Sequence, residues 1–136
     1  MNSTVRIILG AIVGVAVGMM VNGGIINISD NVIPLPEGID PNDLESLREN
    51  IHRFTAKNYV MPFLAHALGT LVGAFIAAKI ALTKKMATGI FVGIFFLLGG
   101  IWAANLLGTP FVPTAVDLIF AYLPMGWLGA RLAGAK

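Results

Sequence analysis

The sequence contains no cysteine and few charged residues, and each shortage excludes a class of protein. Without cysteine there is no disulfide framework, no thiol nucleophile and no cysteine-type zinc site. Only 12% of the 136 residues are charged, whereas about 25% are charged in a typical soluble domain. Hydrophobic residues make up 57% and the mean hydropathy is +0.83. This composition predicts an integral membrane protein, with the lipid bilayer as its main partner.

Several catalytic and binding motifs are also missing. The glycines do not form a phosphate-binding loop, and no stretch of apolar sequence contains a pair of carboxylates. The three serines, Ser3, Ser29 and Ser46, lie outside the central parts of the long apolar stretches, so a Ser-His-Asp set is not expected. Basic residues are few, which gives no support for nucleic-acid binding. The sequence therefore predicts no cofactor and no nucleic-acid partner.

Four apolar stretches are long enough to cross a bilayer, which takes roughly 20 residues. They cover about residues 5–22, 59–82, 86–107 and 112–132. A backbone in lipid must satisfy its own hydrogen bonds, so the spans are predicted to be helices. The first span follows Arg6 as a secretory signal would, but it is too long and no small-residue cleavage site follows. We predict an all-α chain with one transmembrane domain over residues 1–136.

The positions of charged residues predict the orientation of the spans. Six basic residues and no acid lie at one set of helix ends: Arg6, Lys79, Lys84, Lys85, Arg131 and Lys136. The opposite side carries the loop over residues 23–58, which is rich in Asp and Glu. Basic residues favour the cytoplasmic side, so both termini are expected there. The links between spans two, three and four are short and predict an up-down four-helix bundle.

The outer loop contains the signals of a short amphipathic helix. Asp40 is a candidate N-cap and Pro41 suits the first helical position. Glu49 and Arg53 have the spacing of a favourable i,i+4 pair. The apolar positions that fall near one face are Leu44, Leu47, Ile51 and Phe54. We expect this helix to lie on the outer membrane surface or to cap the bundle.

Glycines recur at helical spacing within the spans. The predicted helix-packing positions are Gly10, Gly14, Gly18, Gly69, Gly73, Gly89 and Gly93. Small residues at this spacing let helix backbones approach closely. They could serve packing within the chain, a homo-oligomer, or a second protein. Pro124 lies inside the fourth span and predicts a kink, since it removes one backbone hydrogen bond.

Four polar residues fall within the outer half of the predicted spans: His66, Thr70, Asn105 and Asp117. Polar groups at this depth cost energy, so they are candidates for a functional site. One hypothesis is an outward-facing cluster that binds or passes a small solute or ion, with His66 exchanging a proton beside Asp117. The other is that the two side chains bond to each other and only fix helix register. His66 and Asp117 could also begin a metal site, but two ligands are too few unless His52 folds over from the loop as a third, so we predict no metal.

Two functions therefore stay open. The first is a non-enzymatic membrane protein that binds or passes a small solute through the polar cluster, in the manner of a transporter. The second is a structural or accessory subunit that docks a partner or a second copy through glycine-rich faces. A lipid-directed enzyme, with His66 as base and Asp117 orienting it, is a third and less favoured interpretation.

Three runs in the spans, at residues 63–74, 96–101 and 117–129, are distinctive, and so is the loop motif at residues 34–38. Together they resemble an uncharacterised family of small four-span bacterial inner-membrane proteins. The resemblance covers nearly the whole chain and implies a location in the bacterial inner membrane. It implies no activity and carries over no catalytic or binding residue.

Overall fold

The computed structural model describes all residues from 1 to 136, and its regular structure is entirely helical. The α-helices are α1 (Ser3–Val32), α2 (Leu44–Asn50), α3 (Val60–Ala81), α4 (Lys85–Leu107), α5 (Phe111–Phe120) and α6 (Leu123–Leu132). Short 3-10 turns cover Ile51–Arg53 and Ala56–Tyr59. Four stretches are long and apolar enough to cross a membrane: Ser3–Val32, Ala56–Ala81, Lys85–Leu107 and Phe111–Leu132. The all-helical class and the four candidate spans are thus confirmed.

Helix α1 is longer than the sequence predicted. It continues to Val32, so residues 23–32 are helical although we placed the start of the outer loop at Gly23. Two glycines cost about 2 kcal/mol relative to alanine, which does not stop a long helix. The helix ends only where Ile33 becomes extended, with φ −130° and ψ 92°, because the residue before Pro34 avoids the helical region. At 1.5 Å per residue, α1 is about 45 Å long.

Helices α1 and α3 pack backbone to backbone through their glycines. The facing pairs are Gly10 with Ala77, Gly14 with Gly73, and Gly18 with Gly69. A Cβ atom added at Gly14 would lie 2.5 Å from the Gly73 carbonyl oxygen, and one at Gly73 would lie 2.6 Å from the Gly14 oxygen. Real Cβ atoms do not approach so closely. These glycines are therefore used for packing within the chain.

Helix α6 fits between α3 and α4 through a second set of small residues. A Cβ at Gly89 of α4 would lie 2.8 Å from the Gly126 carbonyl oxygen, and Gly93 faces the same turn of α6. A Cβ at Gly129 would lie 2.5 Å from the Leu71 oxygen of α3. Gly126 and Gly129 were not among the predicted packing positions. The core of the molecule is accordingly made of alanine and glycine, with few large side chains fully buried.

The helix in the connecting loop begins later than predicted. Helix α2 starts at Leu44, and its N-cap is Asp43, whose carboxylate accepts a hydrogen bond from the Glu45 N–H at 3.1 Å. Asp40, our candidate cap, instead accepts from the Asn42 N–H at 2.9 Å and closes the turn before the helix. Both residues have capping chemistry, and the structure uses them one after the other.

The predicted ion pair between Glu49 and Arg53 does not form. The Arg53 guanidinium donates to the Asn50 side chain at 3.1 Å and to the Glu37 carbonyl at 2.9 Å. The backbone changes from α-helix to a 3-10 turn after Asn50, so the i,i+4 geometry that the pair requires is lost. Arg53 therefore ties α2 to the preceding loop.

The fourth span is broken in the middle. Helix α5 ends at Phe120, and α6 begins at Leu123 with Pro124 in its first turn. Tyr122 lies in the break with a non-helical backbone, φ −120° and ψ −77°. Proline has no N–H to give to the carbonyl four residues earlier, and its ring displaces that turn. The interruption predicted at Pro124 is therefore present, and it is centred two residues earlier than expected.

Three contacts place the chain termini and the α3–α4 link at the same end of the helices, here called the terminal end. The Ser3 and Thr83 hydroxyls lie 2.6 Å apart, the Arg6 Nε donates to the Ile80 carbonyl, and the Lys85 Nζ donates to the Ala133 carbonyl. The opposite end carries the connection over residues 33–59 and is called the loop end.

Candidate functional site

His66 and Asp117 are in direct contact near the loop end. Nδ1 of His66 lies 2.8 Å from Asp117 Oδ1 and 3.0 Å from Oδ2. A carboxylate only accepts, so Nδ1 donates, and Nε2 makes no hydrogen bond with the protein. The side chains are 24% and 19% exposed, so neither is sealed in the core. The pair joins α3 to α5 and leaves one imidazole nitrogen free.

Tyr122 is the third member of this group. Its hydroxyl donates to Asp117 Oδ2 at 2.8 Å, and its ring stacks on the His66 ring with centroids 5.6 Å apart. The side chain is fully buried in the break between α5 and α6. The Asp117 carboxylate thus receives two hydrogen bonds, one from each neighbour, and this defines its position. We name His66, Asp117 and Tyr122 the polar triad.

Room for Tyr122 comes from a glycine on α4. A Cβ atom added at Gly100 would lie 2.5 Å from Cζ of the Tyr122 ring, with the hydroxyl oxygen also in contact. The Tyr122 ring is buried, stacked on His66 and bonded to Asp117, so it has little freedom to move away from such an atom. Gly100 is therefore required for the position of Tyr122, and through it for the polar triad.

A cavity of about 640 Å³ opens beside the polar triad at the loop end. His66 and Asp117 form part of its wall, and most of the remaining lining is apolar. The lining comes from the 3-10 turns, the start of α3, the end of α4 and the start of α5, and includes Phe54, Tyr59, Phe63, Leu107, Pro113 and Val116. The volume is in the range of small-molecule sites, which are apolar with a few placed polar groups.

Tyr59 also lines the cavity. Its hydroxyl is buried and makes no hydrogen bond with the protein, while its ring packs against Phe54 at 5.7 Å. Buried hydroxyls nearly always have a partner. Because that hydroxyl is inaccessible, the accessible polar atom without a protein partner in this wall is His66 Nε2.

The structure separates the other two members of the predicted cluster from this pair. Asn105 is exposed, donates to the Ile101 carbonyl at 2.8 Å, and does not line the cavity. Thr70 is completely buried in α3, and its hydroxyl has no partner. Tyr122 was not among the predicted site residues. Its signal was weak, because a tyrosine five residues after Asp117 lies on another face of an unbroken helix.

No group of three or more His, Asp or Glu side chains is placed to hold a metal ion. His52, which we considered as a third ligand, is exposed in the turn Ile51–Arg53 and does not line the cavity.

The four apolar helices indicate a multi-pass membrane protein. No protein family, no curated protein and no solved structure matches the chain. The resemblance to bacterial four-span proteins therefore stays a prediction, and the function is argued from the site itself.

Proposed function

We propose that this chain is a multi-pass protein of the bacterial inner membrane, folded as an up-down four-helix bundle with both termini in the cytoplasm. The support is electrostatic: the terminal end carries Lys and Arg without acids, and the acidic connection lies at the other end. In this orientation the cavity opens toward the outer face, within the outer half of the bilayer.

We further propose that the cavity binds a small amphipathic molecule through the polar triad. The observation that carries this proposal is the free Nε2 of His66, beside the Asp117 carboxylate in a mostly apolar wall. With neutral His66 the pair has a charge of −1, so it favours a ligand with a hydrogen-bond donor or a positive charge. An alkylammonium or hydroxyl head group meets this requirement, and its apolar body suits the remaining lining.

A purely structural role for the pair has less support. Polar contacts that only fix helix register contribute about 0.6 kcal/mol and can be covered by neighbouring side chains. Here both side chains keep access to a cavity of ligand size, and His66 Nε2 has no partner in the protein. A site with unmet hydrogen-bonding capacity is better explained by a ligand.

Binding has more support than passage through the membrane. On the side toward the terminal end, the polar triad is followed by a layer of fully buried side chains that includes Ala74, Ala77 and Val92. A transport cycle would require this layer to open, and the break at Tyr122 is the place where the backbone could allow it. Transport would thus require binding as its first step and then the opening of this buried layer.

The hypothesis that glycine-rich faces dock a partner or a second copy has little support, because most of those glycines are buried within the chain. The glycine rows of α1 and α3 contact each other, and among the helical glycines only Gly23, Gly24 and Gly99 have open space around them. A homo-oligomer stays a prediction, without a glycine-lined face at the predicted rows to support it.

The test uses octylamine, octanoic acid and octanol as probes, with the protein in lipid nanodiscs and isothermal titration calorimetry as the readout. We expect octylamine to bind above the level of empty nanodiscs and octanoic acid not to bind. Asp117→Asn should weaken octylamine roughly tenfold or more, because a hydrogen-bonded charge is lost. The matched control is Asn105→Ala, at the same end but outside the cavity. Equal affinities in the two variants would refute the site.

A further inference from the structure

A second apolar groove of about 630 Å³ lies on the other side of the molecule, between α1 and α4. Both helices begin at the terminal end and run in the same direction, with α3 behind them. Of the twelve residues that line the groove, only Lys84 and Thr88 are polar. The Thr88 hydroxyl already donates to the Lys84 carbonyl at 3.0 Å. Lys84, which is exposed where α4 begins, is therefore the one charged residue that lines the groove.

The length of the groove matches one leaflet of a bilayer. It extends along α1 from Ile7 to Met19, which is about 18 Å at 1.5 Å per residue. Half of a hydrocarbon core is about 15 Å. Near its inner limit the Phe96 ring lies against Gly18, where an added Cβ would be 2.8 Å from the ring. The lining ends with Met19 on α1 and Phe95 on α4, and a space of this length suits an acyl chain better than a helix that crosses the whole bilayer.

Lys84 lies in an unusual turn between α3 and α4, at the end of the groove where α4 begins. Leu82 and Lys84 both have positive φ, 59° and 49°, a conformation that favours glycine. Thr83 between them is bonded to Ser3 of α1. The turn is thereby held across the start of both helices, with a lysine where a glycine would be less strained.

The neighbouring basic side chains are occupied. The Lys85 ammonium donates to the Ala133 carbonyl, and Arg6 donates to the Ile80 carbonyl. Lys79 and Arg131 lie over the rings of Phe75 and Trp127. Lys84 has no acidic partner, since the single salt bridge of the protein joins His66 and Asp117. Its exposed ammonium is thus available to an acidic group from outside the chain.

From these observations we infer that the α1–α4 groove binds an anionic phospholipid of the leaflet at the terminal end, with one acyl chain in the groove and the phosphate at Lys84. The site is separate from the polar triad. Basic groups beside grooves between membrane helices attract acidic lipid head groups, at ~1 kcal/mol for each Lys or Arg.

The experiment is native mass spectrometry of the full chain in mild detergent, titrated with phosphatidylglycerol and phosphatidylcholine of the same acyl chains. We expect phosphatidylglycerol to bind about fivefold more tightly, the ratio that ~1 kcal/mol gives. Lys84→Gln should abolish this preference, and Lys84→Arg should keep it. Lys136→Gln, at the same end but outside the groove, is the matched control.

A second variant tests the acyl chain. Ala16 is exposed and lines the groove, so Ala16→Phe fills it without entering the core. Retention of both lipids should fall, while His66→Ala should leave it unchanged. Equal lipid preference in Lys84→Gln and Lys136→Gln would overturn the inference. So would unchanged retention in Ala16→Phe, or a dimer that this substitution dissociates, because a second copy would then occupy the groove.

Discussion

The loop-end cavity and the α1–α4 groove have nearly the same volume, about 640 and 630 Å³, but their polar groups differ. The cavity has a histidine and a carboxylate in its wall, which are bonded to each other, and the carboxylate also accepts a hydrogen bond from Tyr122. The groove has a single lysine at its mouth and an apolar interior. Lipid chains are as apolar as the lining of either space, so volume and apolar lining do not by themselves distinguish one ligand from another. The position and charge of the polar group decide whether a space takes a head group at depth or an acyl chain.

The largest effect on stability is expected from a substitution in α1, which forms one side of the groove and no part of the cavity. Gly14→Ala places a methyl group against the backbone of Gly73 and forces the two helices apart. We expect a loss of about 3 kcal/mol in the free energy of unfolding, at the upper end for overpacking. Unfolding titrations with sodium dodecyl sulfate, followed by circular dichroism, measure it.

The same variant separates the two sites. The groove depends on α1, whereas the cavity is lined only by residues from Ile51 onward. Gly14→Ala should therefore reduce lipid retention and leave octylamine binding intact. Loss of both would mean that the two regions are coupled. Gly24→Ala, at an open position of the same helix, is the control and should be neutral or stabilising.

The reciprocal change is Gly100→Ala, with an effect of about 2 kcal/mol on the free energy of unfolding. The new methyl group meets the Tyr122 ring and displaces the polar triad. Octylamine binding should fall with stability, while the lipid preference at Lys84 is retained. Gly99→Ala has open space and serves as the matched control. Equal behaviour of the two substitutions would contradict the assigned role of Gly100.

Tyr122→Phe tests the hydrogen bond between the Tyr122 hydroxyl and the Asp117 carboxylate. It removes one hydrogen bond to the Asp117 carboxylate and keeps the ring stacked on His66. We expect a loss of about 1.5 kcal/mol in stability, the low end for a hydrogen bond to a charged group. The same unfolding titration measures it. A neutral substitution would show that Asp117 does not depend on this donor.

The smallest effect is expected at the loop. Glu49→Ala should change stability by less than about 0.5 kcal/mol, because Glu49 is exposed and forms no ion pair. Arg53→Ala should cost more, since Arg53 donates to Asn50 and to the Glu37 carbonyl. If Glu49→Ala instead costs as much as Arg53→Ala, and more than about 0.5 kcal/mol, the i,i+4 pair expected from the sequence forms in solution.

The spans could be predicted from the sequence because hydropathy over 20 residues is a large and additive signal. The ends of elements were harder to predict. Gly23 and Gly24 suggested the end of a helix, yet the helix continues to Val32, where proline imposes an extended residue. A local preference of about 1 kcal/mol is outweighed by the cooperativity of a long helix.

The candidate site was predicted in part. His66 and Asp117 stood out because polar groups are rare in apolar spans, and the structure places them in contact. Tyr122 could not be found in this way, since its position depends on a break in the helix and on a space left by Gly100. Asn105 lies at a similar predicted depth but on an exposed face. The depth of a polar residue in a span can be predicted from the sequence. The direction in which its side chain points depends on how three helices pack.

The most direct test of the proposed function is the ¹⁵N NMR spectrum of the His66 ring. His52→Gln leaves His66 as the single histidine, so the ring resonances belong to His66 alone. We predict that the ring proton is on Nδ1, that Asp117→Asn alters this tautomer, and that octylamine shifts the Nε2 resonance in lipid nanodiscs. A proton on Nε2, or an Nε2 resonance that does not respond to octylamine, would contradict the account of the cavity.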